Sequence, residues 1–183
     1  NDAVVLGWTA NFEKHRWQLS GRHDNHSSFG DRNTWAAGYG YALTSAWRIN
    51  ASAGTSFKAP TPYQLYATSS GLIPNPNLRP EEGRNKELSL IWAEAGNTAS
   101  VTWYRNDVTD LIDYQSGAQQ YRNVNKAKFE GWTFTAGSTV SEWNISAAVD
   151  LLEARDETTH QTLERRAKEK LSLNADRNWG ALT

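Results

Sequence analysis

Three aspartates, Asp107, Asp110 and Asp113, stand three residues apart in "DVTDLID". Carboxylates in that number suggest calcium, which takes about six to eight oxygens. On an extended chain Asp107 and Asp113 share a face and Asp110 does not, so the spacing reads as a solvated strand end. His23-x-x-His26 lacks the partner ligands of a zinc site. "GYGYAL" (38–43) has no helix after it and so is not a phosphate loop. Glu81 and Glu82 follow Pro80 and read as loop solvation. No Ser/His/Asp set can be placed in contact. With no cysteine there is neither a disulfide framework nor a thiolate metal site. These residues carry no bond-breaking chemistry, so the chain is read as no enzyme, with no catalytic residue, metal site or cofactor.

The elements that must position these residues are long strands. "WRINASAGTSFKAP" (47–60) puts Trp47, Ile49, Ala51, Ala53, Thr55 and Phe57 on one face and Arg48, Asn50, Ser52, Gly54, Ser56 and Lys58 on the other. Twelve alternating residues extend about 40 Å at roughly 3.3 Å each, against about five or six residues for an ordinary strand. Period-two alternation predicts eight more: Ala3–Phe12, Trp17–His23, Trp35–Leu43, Lys86–Ala93, Ala99–Asp107 with its pattern traceable to Tyr114, Tyr121–Ala136, Trp143–Leu151 and Ala167–Asp176. A tenth is expected to begin at Trp179. No helical stripe is visible.

Short connections (Glu13–Arg16, Thr44–Ala46, Ala95–Asn97, Thr139–Glu142, Asn178) alternate with long ones (His23–Asn33, Lys58–Arg84, Asp113–Gln120, Glu153–Arg166). All the elaboration therefore falls at one end of the sheet, the layout of an up-and-down antiparallel transmembrane barrel with short periplasmic turns and long extracellular loops. Trp17, Trp47, Trp143 and Trp179 each follow a short turn on the apolar face, as an interfacial aromatic girdle would. Packing of these rings in a soluble sandwich core is the plainer reading, but a core would not gather them at one end. Polar faces such as Asn144, Ser146 and Asp150 suit a wet lumen or a lumen filled by a polar plug.

Composition agrees. Hydrophobic residues make up 38% of 183, low for a packed globule, with nine Trp and no Met. Net charge −1 gives no electrostatic case for nucleic acid. No run of about eighteen apolar residues exists to form a membrane-spanning helix; barrel strands would escape that test.

Several segments then resemble the TonB-dependent outer-membrane transporters. They are "TSFKAPTPYQLY" (55–66) with "NPNLRPEEG" (75–83), "YRNDVTDLIDY" (104–114), "NVNKAKFEGW" (123–132) and "TLERRAKEKLSL" (162–173). The resemblance implies an all-β barrel of 22 strands around a plug domain that engages TonB. Residues 1–183 correspond to a middle-to-late part of that barrel, about nine to ten strands, with the plug absent from this stretch. It further implies a bacterial outer membrane location, contact with outer-membrane lipid, and active uptake of a ligand. No nucleic acid partner is implied.

Within the family the likeness is greatest to cobalamin transporters, through 104–114 and 163–168. In those proteins the arginine opening the R-R-A-K segment contacts ligand, and that position is Arg165, where a long loop re-enters the barrel. Its planar fork of donors suits corrin amide and phosphate groups. Cobalamin transporters also carry adjacent aromatics after the residue matching Tyr66. "ATSSGLIP" (67–74) is longer and ringless, leaving Leu72 and Ile73 as apolar substitutes, with Tyr63 and Tyr66 as stacking surface. Ligand contacts are therefore expected at Arg165, Tyr63, Tyr66, Leu72 and Ile73, for cobalamin or a related corrinoid. Another metal-chelate ligand, a ferric siderophore, shares every barrel motif. A soluble aromatic-rich β-sandwich that binds carbohydrate is the alternative from a different class.

Overall fold

The computed structural model describes residues 2–177. Nine strands are present: β1 (Asp2–Phe12), β2 (His15–His26), β3 (Gly30–Ala42), β4 (Trp47–Lys58), β5 (Glu81–Glu94), β6 (Asn97–Gln115), β7 (Gln120–Val140), β8 (Trp143–Asp156) and β9 (Glu169–Arg177). Each pairs antiparallel with the next, in one sheet ordered β1 to β9. A sandwich requires a second sheet facing the first, and there is none among the described residues, so the soluble-sandwich alternative is not this architecture. Trp179 and the strand expected to begin there lie outside the described residues.

Two of the expected long loops are instead hairpin tips. β2 and β3 run on until only residues 27–29 connect them, and β6 and β7 until only 116–119 do. Their polar residues hide the alternation, but backbone N–H and C=O groups still pair across a hairpin and carry the ladder past the apolar segment. Two long loops remain at this end, 59–80 and 157–168. The opposite end has tight turns. Ala95 and Gly96, both at positive φ (49° and 80°), form a two-residue turn whose twist matches the strands. One helix was not expected: α1 (Pro62–Tyr66) is a single turn. Thr61 Oγ1 accepts from the Gln64 N–H while Gln64 Oε1 accepts from the Thr61 N–H, with Pro62 preset for the first turn.

The register lays out the apolar face. One row of directly opposed residues reads Trp8, Leu19, Ala37, Ala53, Lys86, Arg105, Glu130, Glu153. It is apolar over β1–β4 and charged over β5–β8. Six residues along each strand nearer the short turns, Trp47, Trp92, Ala99, Ala136, Ala147 and Leu173 are all apolar. The greasy belt thus runs obliquely to the hydrogen-bond rows. That slant is what tilted strands produce in a level membrane slab, where barrels lean by roughly 35–45°.

Burial is inverted relative to a water-soluble domain. Leu6 and Leu173 are 75% and 74% exposed, and Trp17, Trp47 and Trp143 all lie on this open face. An apolar surface that crosses nine strands is far beyond what a monomer shows to water. The opposite face is wet and polar. It is laced across strands by Ser89–Thr102 (2.9 Å), Ser100–Thr135 (2.7 Å), Thr133–Asp150 (2.7 Å) and Asn144–Asp176 (2.9 Å).

Candidate functional site

The long-loop end is organised around the β6–β7 hairpin, which projects beyond the sheet. Asp110 sits at φ 56° between the paired positions Thr109↔Lys126 and Leu111↔Val124. Asp and Asn tolerate this left-handed region better than most residues. Around it, Asn123 Nδ2 donates to the carbonyls of Asp110 (2.7 Å) and Arg79 (2.9 Å), and Asn123 Oδ1 accepts from the Arg79 N–H (2.9 Å). Asn123 thereby fastens the 59–80 loop to the hairpin.

Two hydrophobic clusters complete the attachment. Leu65 and Leu78 of the 59–80 loop bury Ile112, with Phe29 and Tyr121 alongside. Leu163 of the 157–168 loop buries with Val108, Leu111, Ala127 and Ala154. The hairpin is held between two loops that are separated by 76 residues of sequence, 81–156.

The three aspartates diverge. Asp107 pairs with Arg105 (2.8 Å), Asp110 with Arg79 (2.6 Å) and Asp113 with Arg166 (3.3 Å). Each carboxylate faces a different guanidinium: the Asp107 pair lies within β6, the Asp110 and Asp113 pairs tie the two loops to it, and the three do not converge on a common point. At the base of the 157–168 loop, burial pushes the Asp156 carboxyl up, but the N–H groups of Thr158 (2.7 Å) and Thr159 (3.2 Å) outweigh it and hold the group below its ordinary value.

Arg165, at φ 59°, is exposed, and its guanidinium lies 4.8 Å from the centre of the Tyr114 ring. Tyr114 meets Tyr121 edge-on at 5.3 Å, and Tyr121 meets Tyr63 at 6.4 Å. So Arg165 and Tyr63, both exposed and from different loops, are joined through two partly buried hairpin rings into one array of a cation and three phenols. Ile73 adjoins it: its N–H donates to the Gln119 carbonyl (2.8 Å) and it bridges Gln120, next to Tyr121. Ile73 is half exposed and Leu72 partly buried beside it. Tyr66, 65% exposed at the end of α1, has no ring contact within the array among the described residues. The arrangement offers flat aromatic surface, hydroxyls and one planar cation, which suits a large, rigid, polar-edged ligand and no covalent chemistry.

Tyr114 and Tyr121 are the members that sequence reasoning did not single out. Their signal lay in symmetry: they are directly opposed across the 116–119 turn, and cross-strand aromatic pairs next to a tip present a joint face.

Comparison with known proteins agrees with this geometry. The chain is 36% identical to the vitamin B12 transporter BtuB of Photobacterium profundum over 95% of its own length, and spans 29% of that relative. Among solved structures it is similar to the siderophore receptor PirA of Acinetobacter baumannii, with TM-score 0.78 at 18% identity over 97% of this chain and 31% of that one. It is also similar to the ferric enterobactin receptor PfeA, with TM-score 0.76 at 21% identity over 97% and 31%. At such identities the solved structures speak for the fold alone. The family described as TonB dependent receptor-like, beta-barrel matches residues 2–183. With its oblique lipid-facing belt, polar inner wall and loops gathered at one end, the chain belongs to that family of outer-membrane β-barrels.

Proposed function

We propose that the chain supplies a wall of the barrel domain, and part of the ligand-contact surface, of an active transporter for cobalamin or a related corrinoid. Ligand would arrive from outside at the loop end. A plug domain supplied by another part of a longer protein would fill the polar lumen and engage TonB. The observation that carries the reading is the Arg165–Tyr114–Tyr121–Tyr63 array. A corrin is a broad, rigid ring edged with amides and bearing a phosphate in its nucleotide loop. Flat phenols with a guanidinium at one end complement such a body through stacking and charge-assisted hydrogen bonds. The 36% identity to a vitamin B12 transporter supports the same choice. Arg165, Tyr63, Ile73 and Leu72 are proposed contacts, joined by Tyr114 and Tyr121; Tyr66 is proposed as a more peripheral one.

Ferric siderophores are the second reading. It is favoured by the ringless 67–74 segment, which offers a corrin no paired aromatics. The test is equilibrium binding by the full-length protein of cyanocobalamin against ferric enterobactin. Cyanocobalamin bound at least tenfold tighter, and weakened by Arg165→Ala, is the expected result. Binding of the ferric chelate alone would replace the first reading with the second.

A further inference from the structure

Two consecutive arginines of the 157–168 loop are held in different ways. Arg165 is exposed and carries its guanidinium to the Tyr114 ring. Arg166 has a side chain only 23% exposed and turns to the strand residue next to that ring, Asp113. Its Nη1 and Nη2 both donate to Asp113 Oδ1 at 3.3 Å, and Nη1 also donates to the Glu164 carbonyl at 2.6 Å. The guanidinium lies 5.5 Å from the centre of the Phe129 ring, which packs against the cluster that buries Leu163. Charge-assisted bonds from a planar fork, backed by a ring, leave this side chain little freedom.

The faces of β6 make this pairing consequential. By strand alternation Asp113 shares a face with Leu111, against which Leu163 is buried. Tyr114 shares the other face with Ile112, where Tyr121 and the 59–80 loop stand. Arg166 therefore stays on the face to which its own loop is anchored, and Arg165 reaches across to the ring array. Arg165 makes that crossing at φ 59°. A residue other than glycine keeps such a left-handed conformation only where its surroundings impose it. Before Arg165 the chain is fixed by buried Leu163, whose N–H donates to the Ala154 carbonyl at 3.0 Å. After it the chain is fixed by Arg166, and the bond from Arg166 to the Glu164 carbonyl spans Arg165 itself.

We infer that Arg166, clamped by Asp113, is a positioning residue for ligand: it holds the left-handed turn that delivers the Arg165 guanidinium to the Tyr114 side of the hairpin. The inference deepens the proposed function. It rests on the reading that Arg165 meets ligand, and not on whether that ligand is a corrinoid or a ferric chelate.

A double-mutant cycle on the full-length protein tests it. Equilibrium binding is measured with cyanocobalamin and with ferric enterobactin, and limited proteolysis of residues 157–168 is read alongside. Arg165→Ala alone tests the underlying reading: unchanged affinity for both probes sinks that reading and this inference with it. For the probe that the wild type binds, Asp113→Asn and Arg166→Gln are each expected to weaken binding by about threefold or more while Arg165 is present, and to cause no further loss in the Arg165→Ala background. Asp113→Glu, which keeps the charge, should bind within about twofold of wild type. Cleavage in the loop should not rise in Asp113→Asn, because burial of Leu163 anchors the loop independently. Equal losses with and without Arg165, unchanged binding in Asp113→Asn, or a loss matched by new cleavage in the loop would each overturn the positioning role and leave the Arg165 contact standing. Should Arg166→Gln fold poorly, Asp113→Asn, which removes a charge and no bulk, carries the cycle alone.

Discussion

Leu111 and Ile112 are neighbours in β6, yet each is buried in a different hydrophobic cluster, at 7% and 6% exposure. Successive strand residues point to opposite faces. The 157–168 loop, through Leu163, therefore covers one face of the β6–β7 hairpin, and the 59–80 loop, through Leu65 and Leu78, covers the other. Among the described residues every buried hydrophobic side chain lies in these two clusters, at the wet end, and the belt is left to lipid. The loops that carry Arg165 and Tyr63 are thus anchored independently to one hairpin.

Independent anchoring predicts separable loosening. Leu163→Ala should open the 157–168 loop, and Leu78→Ala the 59–80 loop, each at about 2–4 kcal/mol of local stability. Limited proteolysis of the full-length protein in detergent, read by mass spectrometry, checks this. Each variant should gain cleavage in its own loop and not in the other; joint opening by either would mean that the loops form one cooperative unit.

Asn123 serves three backbone groups at once, the carbonyls of Asp110 and Arg79 and the Arg79 N–H. Asn123→Ala leaves all three to water or unpaired, at a cost of about 1–2 kcal/mol. Arg79→Ala removes only the exposed side-chain pair with Asp110, worth at most about 1 kcal/mol. Hydrogen exchange at residues 75–80 should therefore quicken clearly in the first variant and little in the second.

Strand period, belt and loop end were legible in the sequence because alternation and bilayer thickness leave a direct trace in residue types. Trp47 to Phe57 reads correctly as a crossing strand for that reason. What was hidden depends on partners. Strand continuation past His23 comes from backbone pairing, to which side-chain polarity is blind, whereas that of β6 past Asp107 was traceable to Tyr114. The joining of Arg165 to Tyr63 passes through Tyr114 and Tyr121, and needs a register that no single segment encodes. The capping box Thr61-Pro62-x-Gln64 was readable, but a helix of one turn leaves no periodicity to find.

Asp156 links the 157–168 loop to pH. Its carboxyl lies below the ordinary value in the folded state because Thr158 and Thr159 donate to the charged form more than burial opposes it. A depressed folded value contributes stability that is present above the unfolded value, about 3.9, and is lost as pH falls through the folded one. The loop should hold at pH 5–7 and loosen progressively below about pH 4. Acid-active protease cleavage within 157–168 should rise over that window, and in Asp156→Asn that loop's cleavage should depend much less on pH.

Gly131 is buried where β7 faces Tyr104 of β6 and the β8 backbone. A Cβ there would run into the Leu151 carbonyl oxygen and the Tyr104 hydroxyl, whereas one at Gly21 would meet nothing within 4 Å. Gly131→Ala is expected to destabilise the barrel by about 1–3 kcal/mol through forced strand displacement, and Gly21→Ala by much less. Thermal melting of the full-length protein, followed by the heat-dependent shift in gel mobility typical of barrels, should rank the two variants in that order.

Arg165 and Tyr114 should act on ligand as one unit, because the guanidinium lies 4.8 Å from the ring centre and has no hydrogen bond to hold it elsewhere among the described residues. The ring fixes the cation by cation–π attraction, worth about 0.5–1 kcal/mol at an exposed site, and under the proposed function would offer its remaining edge to the ligand. Tyr114→Ala therefore removes a contact and also frees Arg165 to wander. Each single alanine variant should weaken cyanocobalamin binding by about tenfold, and the double variant by much less than the product of the two, the sign of a shared contribution. Tyr114→Phe keeps the face of the ring and should bind nearly as wild type. Fully additive losses would mean that Arg165 reaches ligand without help from the ring.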